Sequence, residues 1–412
     1  MRLLISLIAA KMLFLGDAFG AAADYVTVAV AGAWLLWVFS RQKNSSVLKL
    51  DRIEALLILI VLLGLVWTGV AFLNGLDAMR SVSALLRLLF MFVVYNVLRR
   101  AAGRNVTDFA EWCGFSVLFV HISVGLIKYY LGFDDAVGAV IRPSGIAGHP
   151  NTLSNIAFFG ALIASAYLFA GRLYAAVPAK AYCLLLFLSF WMIVASGTLK
   201  NLLALVPALV IVAFSMGGVK RSHVFATLAF SAGIMVLAWS FEPVQLRIEE
   251  AVVAGVDLSV TEGERLGSSF QWRILQWKLL INDWAGNFFW FGSGTGQVES
   301  MSGLVDENGV AYLAHSDLVT FLVEFGVVGF FAFFIVQVSL ARELGGVGSG
   351  REKAVSMVAI FVALWMIGLG GNVFYSAAYT YFLWFYAGLN KGLSLAIERR
   401  AKLLSKGRLG NA

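Results

Sequence analysis

The chain predicts an all-α polytopic membrane protein with about 12 transmembrane helices. Hydrophobic residues make up 60% of its 412 positions and charged residues only 13%. Mean hydropathy is +0.84. Apolar blocks also recur from end to end rather than gathering in one region. Soluble domains lie far from this composition. The apolar runs are continuous rather than alternating, which excludes a membrane barrel.

The first block, roughly 3–16, is the shortest. It follows Met1-Arg2, contains Lys11 and has no small-residue cleavage site, so it reads as a span rather than a cleaved leader. Further blocks lie at roughly 22–40, 55–73, 82–98, 111–131, 152–170, 181–196, 201–216 and 224–241. After a long polar interruption come 316–340, 354–370 and 374–390. Alternating sides from a cytoplasmic N-terminus makes every inner loop basic, for example Arg41 to Arg52, Arg99 to Arg104, and Lys391 to Arg408. The outer loops hold only Arg80, Arg142, Lys200, Arg247, Arg265, Arg273 and Lys278. Both termini are therefore expected in the cytoplasm, and the basic C-terminal tail next to anionic membrane lipids. The net charge of +7 belongs mostly to these inner loops, which argues against nucleic acid as a partner.

Three outer segments stand apart: 132–151, the short turn near 197–200, and the loop 241–315 between spans nine and ten. Long loops in compact proteins usually carry function. The whole chain, 1–412, reads as one integral-membrane domain with no internal repeat or second soluble domain. Cys113 and Cys183 both fall in apolar blocks, and Asp134-Asp135 are adjacent rather than spaced as a diphosphate-metal motif. No metal site or cofactor is expected.

Within the long loop, Phe270, Ile274, Trp277, Ile281 and Trp284 recur at helical spacing and predict an amphipathic helix over about 270–284 at the membrane surface. Arg273 and Lys278 lie off that stripe. A guanidinium at Arg273 can grip phosphate oxygens bidentately while staying charged at any working pH; the plainer alternative is a snorkelling anchor. Gly292-Ser293-Gly294-Thr295-Gly296 suits a tight turn whose amides face an anion, or else a hinge. His315 precedes a span containing Asp317 and Glu324, which are seven residues apart and share a helix face. An imidazole suits a general base near neutrality, with an N-terminal cap as the alternative. Ionisable groups within a span are functional candidates because their burial is costly. Arg142-Pro143-Ser144-Gly145 and Gly148-His149-Pro150-Asn151 predict a fixed turn before the sixth span, aiming Arg142 and His149 at the outer face. Lys200 adds a cation at the outer end of two spans, or serves as an interfacial anchor.

Trp272-Arg273 near Gly292-x-Gly294, followed by His315-x-Asp317-Leu318 and then Gly326-x2-Gly329, resembles the signature of the O-antigen ligase and polymerase superfamily. The Arg142, Gly145 and His149-Pro150-Asn151 element resembles a second one often found there. The resemblance implies a membrane glycosyltransferase of the GT-C kind in the bacterial inner membrane, with a periplasmic active site. It would be metal-independent and inverting, moving a glycan from undecaprenyl diphosphate to an acceptor sugar hydroxyl. By position, His315 would be the base and Arg273 would contact the diphosphate. Lys200 would be the cation at the end of a middle span, although Leu199 separates it from Thr198. Asn151, His149, Arg142, Lys278, Gly292, Gly294, Asp317 and Glu324 would help bind donor or acceptor.

The leading expectation is a polymerase of exopolysaccharide, capsule or O-antigen repeat units, working beside a flippase and a chain-length regulator. The runner-up is a ligase that passes the glycan to lipid A–core. A polytopic transporter or lipid-linked glycan flippase is the alternative of another class, and a non-catalytic assembly partner a third. A single histidine, rather than two carboxylates flanking the bond, argues against glycoside hydrolysis.

Overall fold

The computed structural model describes residues 1–14, 26, 29–34, 50–101, 104–134, 136–137, 140–169, 176–215, 229, 232–233, 236, 238–242, 244–246, 248–249, 252, 269–301, 314–345, 368 and 377–409. The described chain is helical: α1 (Arg2–Leu13), α2 (Arg52–Leu73), α3 (Ala78–Arg99), α4 (Arg104–Tyr130), α5 (Pro150–Phe169), α6 (Ala179–Ala195), α7 (Leu199–Ser215), α8 (Ser269–Asp283), α9 (Val298–Met301), α10 (Asp317–Leu344) and α11 (Ala377–Leu409). The exception is a two-strand antiparallel hairpin, β1 (Ala136–Val137) with β2 (Val140–Ile141), in the loop that closes on α5.

Five of these helices, α2, α3, α4, α5 and α10, contain stretches long and apolar enough to cross a membrane, and α6 and α7 are shorter apolar helices. The chain is therefore a polytopic helical membrane protein. The spans expected at 22–40, 224–241 and 354–370 lie largely outside the described residues. Helix α1 has 12 residues, so by itself it measures about 18 Å, short of a hydrocarbon layer of about 30 Å. Helix α11 has 33 residues and continues well past the apolar block expected at 374–390, into the basic tail.

The bundle is held by close helix crossings. Helix α5 packs along α6, and α11 along α3. A Cβ on Gly388 would come within 2.7 Å of the Tyr95 carbonyl, and one on Gly392 within 2.6 Å of the Leu98 carbonyl. Only glycine lets α11 and α3 approach so closely. At the end of the bundle away from the α2–α3 turn, Asp51 and Glu54 form a capping box at the start of α2. Buried Glu54 also pairs with Arg99 at 2.7 Å and with Arg100. Such a cluster tolerates burial because each charge has a partner.

At the opposite end, α10 breaks. Gly326 takes φ 62 and ψ −174, which no helix contains. The glycine turn after α8 fills the gap. Ser293 N–H donates to the Val323 carbonyl at 2.9 Å and Gly294 N–H to that of Glu324 at 2.9 Å. In return, Val327 N–H donates to the Phe289 carbonyl at 2.9 Å and Val328 N–H to that of Trp290 at 3.1 Å. Trp67 of α2 binds both sides of the join, its indole N–H reaching the Phe291 carbonyl at 2.7 Å and the Phe325 carbonyl at 3.0 Å. The turn is also tied to α3, where Ser81 donates to the Thr295 carbonyl at 2.6 Å. A chain break inside an apolar helix persists only when its freed backbone groups find such partners.

A Cβ at Gly326 would run into the backbone of Gly292 and Trp290. Gly75 has the same sign of φ, at 70°, but open space around it. Gly326→Ala should therefore cost more than about 2 kcal/mol, against about 1 kcal/mol for Gly75→Ala. Melting temperatures of the detergent-purified variants check the difference.

Candidate functional site

His315 stands one residue before the cap of α10. Ser316 supplies the cap, with its hydroxyl accepting the Val319 N–H at 3.5 Å, so the histidine is not needed for that task. The backbone at His315 takes φ 49, and among the described residues it is the one non-glycine with positive φ. That left-handed conformation costs about 1–3 kcal/mol, and such strain persists only where its surroundings enforce it.

Helix α8 supplies one such constraint. The Trp277 indole N–H donates to the Ala314 carbonyl at 2.5 Å, at the peptide that leads into His315. Arg273 lies one turn earlier on the same helix, on the side that carries Trp277. The buried residues of this segment coincide only in part with the predicted stripe, of which Trp284 is buried and Ile274 and Trp277 are half-buried. Leu275, Gln276, Leu280 and Trp284 are buried, while Ile281 is 38% exposed. The side chain of Phe270 lies outside the described residues. The buried face therefore sits close to Arg273, and its guanidinium Nε is buried. Lys278 is exposed and is not among the charges that act on His315 or Lys200.

Around His315 the positive groups gather. Burial holds its imidazole well below the ordinary range, at about 3, and the charges of Arg273, Lys200 and His149 push in the same direction. Lys200, in the first turn of α7, interacts electrostatically with Arg273, Asp317 and Arg142. Five elements thus meet at one place: α8, α7, the loop 142–149 and α10 bring charged groups, and the turn before α10 brings the imidazole. Asp317 is buried in the first turn of α10 and is the acidic member of the group.

Arg142 is buried and works as a brace. Its Nε donates to the Ser196 carbonyl at 2.6 Å, and one terminal nitrogen donates to Asn151 Oδ1 at 3.2 Å and Thr198 Oγ1 at 3.1 Å. It thereby joins the loop, the start of α5 and the α6–α7 turn. Asp134 holds the same loop by accepting the Ser144 hydroxyl at 2.6 Å, and Lys128 pairs with Asp134 at 3.4 Å. His149 is exposed, and its Nδ1 accepts the Asn151 N–H at 3.1 Å.

The structure does not bring every predicted group to this cluster. The amides of Gly292 and Gly294 are taken by the Phe288 and Glu324 carbonyls, so this turn is a structural latch rather than an anion nest. Glu324 is buried beside it, with Oε1 accepting the Val298 N–H at 3.3 Å. Sequence reasoning missed Trp67 and Trp277 as donors. The available signal was the spacing of Trp277, four residues after Arg273. Among the described residues, no group of three or more His, Cys, Asp or Glu side chains is placed to share a metal ion.

The His315 folded-state value lies below its unfolded one, so the unfolded chain binds more protons under acid conditions. Stability from this site is present above about pH 6.5 and is lost as pH falls toward about 3. Thermal melts from pH 7.5 to 5 should show a steeper decline for the wild type than for His315→Gln.

Residues 184–334 match a family model described as O-antigen ligase. No curated protein matches the chain. The matched segment runs from α6 into α10 and contains Lys200, Arg273, His315, Asp317 and the glycine latch. It bears out the resemblance of this chain to the O-antigen ligase and polymerase superfamily.

Proposed function

We propose that this protein transfers a glycan from undecaprenyl diphosphate to a sugar hydroxyl at the outer face of the bacterial inner membrane, polymerising repeat units of an exopolysaccharide, capsule or O-antigen. The observation that carries this reading is the convergence of Arg273, Lys200 and His149 on the imidazole of His315. Glycosyl transfer from a lipid diphosphate needs a base for the attacking hydroxyl and cations for the leaving group. His315 as that base, with Arg273 and Lys200 as those cations, falls within the segment that matches the family model, which supports the reading.

In this mechanism the acceptor oxygen attacks the anomeric carbon while the bond from that carbon to the diphosphate oxygen breaks. The hydroxyl proton passes to a His315 ring nitrogen, and the electron pair leaves with the diphosphate. Direct displacement inverts the anomeric centre. Arg273 grips the departing oxygens bidentately and Lys200 acts as a point charge. Cations fixed before the reaction stabilise the developing charge by several kcal/mol. Neutral His315 is ready to accept a proton at physiological pH. Arrival of a diphosphate offsets the positive charges around it, which raises the basicity of the imidazole when the donor is in place.

The reading keeps about twelve spans and puts residues 241–315 outside. It is supported by the basic residues at the far end of the bundle, Arg52, Arg99, Arg100 and Arg342, which suit the cytoplasmic side. A second reading, transfer of the finished glycan to lipid A–core, draws support from the description of the matching family as O-antigen ligase.

Gene deletion separates the two: lipid-linked single repeats accumulate if the protein is a polymerase, and full-length lipid-linked chains if it is a ligase. His315→Ala should lower transfer about 10²–10⁴-fold while the protein still inserts, as read by glycan gels and membrane immunoblots. Arg273→Lys keeps the charge but loses the fork, so it should be impaired, though less than Arg273→Ala. Full transfer by His315→Ala would overturn the reading.

A further inference from the structure

We infer that Trp277 is a positioning residue that couples the diphosphate grip of Arg273 to the orientation of His315. The inference rests on the proposed glycosyl transfer. The indole N–H of Trp277 reaches the Ala314 carbonyl at 2.5 Å, and the next residue, His315, is held at φ 49. A non-glycine residue relaxes out of the left-handed region unless its flanking peptides are fixed. On the C-terminal side the Ser316 cap and the Thr320 hydroxyl, which donates to the Ser316 carbonyl at 2.9 Å, supply that restraint. On the N-terminal side Trp277 supplies it.

The position of the tryptophan on its helix gives the bond its consequence. Trp277 and Arg273 are four residues apart on α8, so they move as one body. Helix α8 is in turn anchored by buried Leu280 and, just past its end, by buried Trp284, and it leads into the turn that locks the break of α10. A diphosphate held by Arg273 therefore fixes the same helix that sets the Ala314–His315 peptide. Donor capture and aim of the imidazole become one event, and the acceptor hydroxyl meets a correctly turned ring when the donor is seated.

The test uses the full-length protein in nanodiscs with lipid-linked glycan extracted from the deletion strain. Trp277→Phe deletes the N–H and should lower kcat about 10–100-fold, with the donor KM within about twofold of wild type. The melting-temperature shift produced by undecaprenyl diphosphate should persist in this variant and vanish in Arg273→Ala. Combining Trp277→Phe with His315→Ala should lose nothing beyond His315→Ala alone, because the tryptophan acts through the imidazole. If Trp277→Phe does not fold, benzothienylalanine at the same position keeps the bicyclic shape and removes only the N–H; the same fall in kcat is expected. Wild-type turnover in the isostere, or a further loss in the double variant, would overturn the inference while leaving the proposed function standing. Full activity of His315→Ala would overturn both.

Discussion

A carbonyl released inside an apolar helix has no water to bind, and the arrangement of this protein depends on how one such break is satisfied. At Gly326 the ladder of α10 opens, and the chain from Phe289 to Gly294 donates to one side of the gap and accepts from the other. Trp67 closes the remaining pair of carbonyls. An unsatisfied backbone group in hydrocarbon costs several kcal/mol, so the latch and the break require each other. The latch also fixes the end of α8 relative to the first half of α10. Those two elements carry Arg273 and the His315 turn.

The cluster is costly to assemble. Arg273, Lys200 and Arg142 bring like charge together in a partly buried place, where repulsion is weakly screened. Asp317 offsets some of it. Natural sites accept this kind of destabilisation where it serves chemistry, and the surrounding fold compensates. The compensation here is visible in close helix crossings at Gly388 and Gly392, in the paired charges around Glu54 and in the bracing of the loop through Asp134. Rigidity in these places lets a repulsive group of cations stay in position.

Much of the fold was legible because span length and apolar composition depend on the bilayer and not on tertiary detail. The blocks at 55–73, 82–98, 152–170 and 316–340 agree with α2, α3, α5 and α10 to within a few residues at most ends. His315, Arg273 and Lys200 were readable as charges in places where charge is expensive. The roles of other residues were not, since the same residue type serves both chemistry and bracing. The glycines of 292–296 fit an anion nest or a latch equally well in sequence; only the proximity of Gly326, more than 30 positions on, decides. Arg142 reads as an outward cation, yet it is buried, and its Nε and one terminal nitrogen bind Ser196, Asn151 and Thr198. Apolar periodicity in α8 marks a stripe without saying whether lipid or protein covers it. Exposed Ile281 and buried Gln276 show the difference.

Backbone electrostatics add to the side chains. Helices α5, α7 and α10 begin at Pro150, Leu199 and Asp317, and the residues at those starts include Asn151, Lys200 and Asp317 itself. The positive ends of three helices are thus brought to the region where Arg142, Arg273 and Lys200 interact. Arg142 ties the first two starts together directly through Asn151 and Thr198. Oriented dipoles need no reorganisation when charge develops nearby, so they act alongside the fixed cations. A neutral imidazole in such a field is held in its unprotonated form first by its burial and then by the same positive potential that would stabilise a departing diphosphate. Under the proposed reading, acid–base readiness and leaving-group stabilisation therefore both depend on one charge distribution, and changing Arg273 or Lys200 alters both.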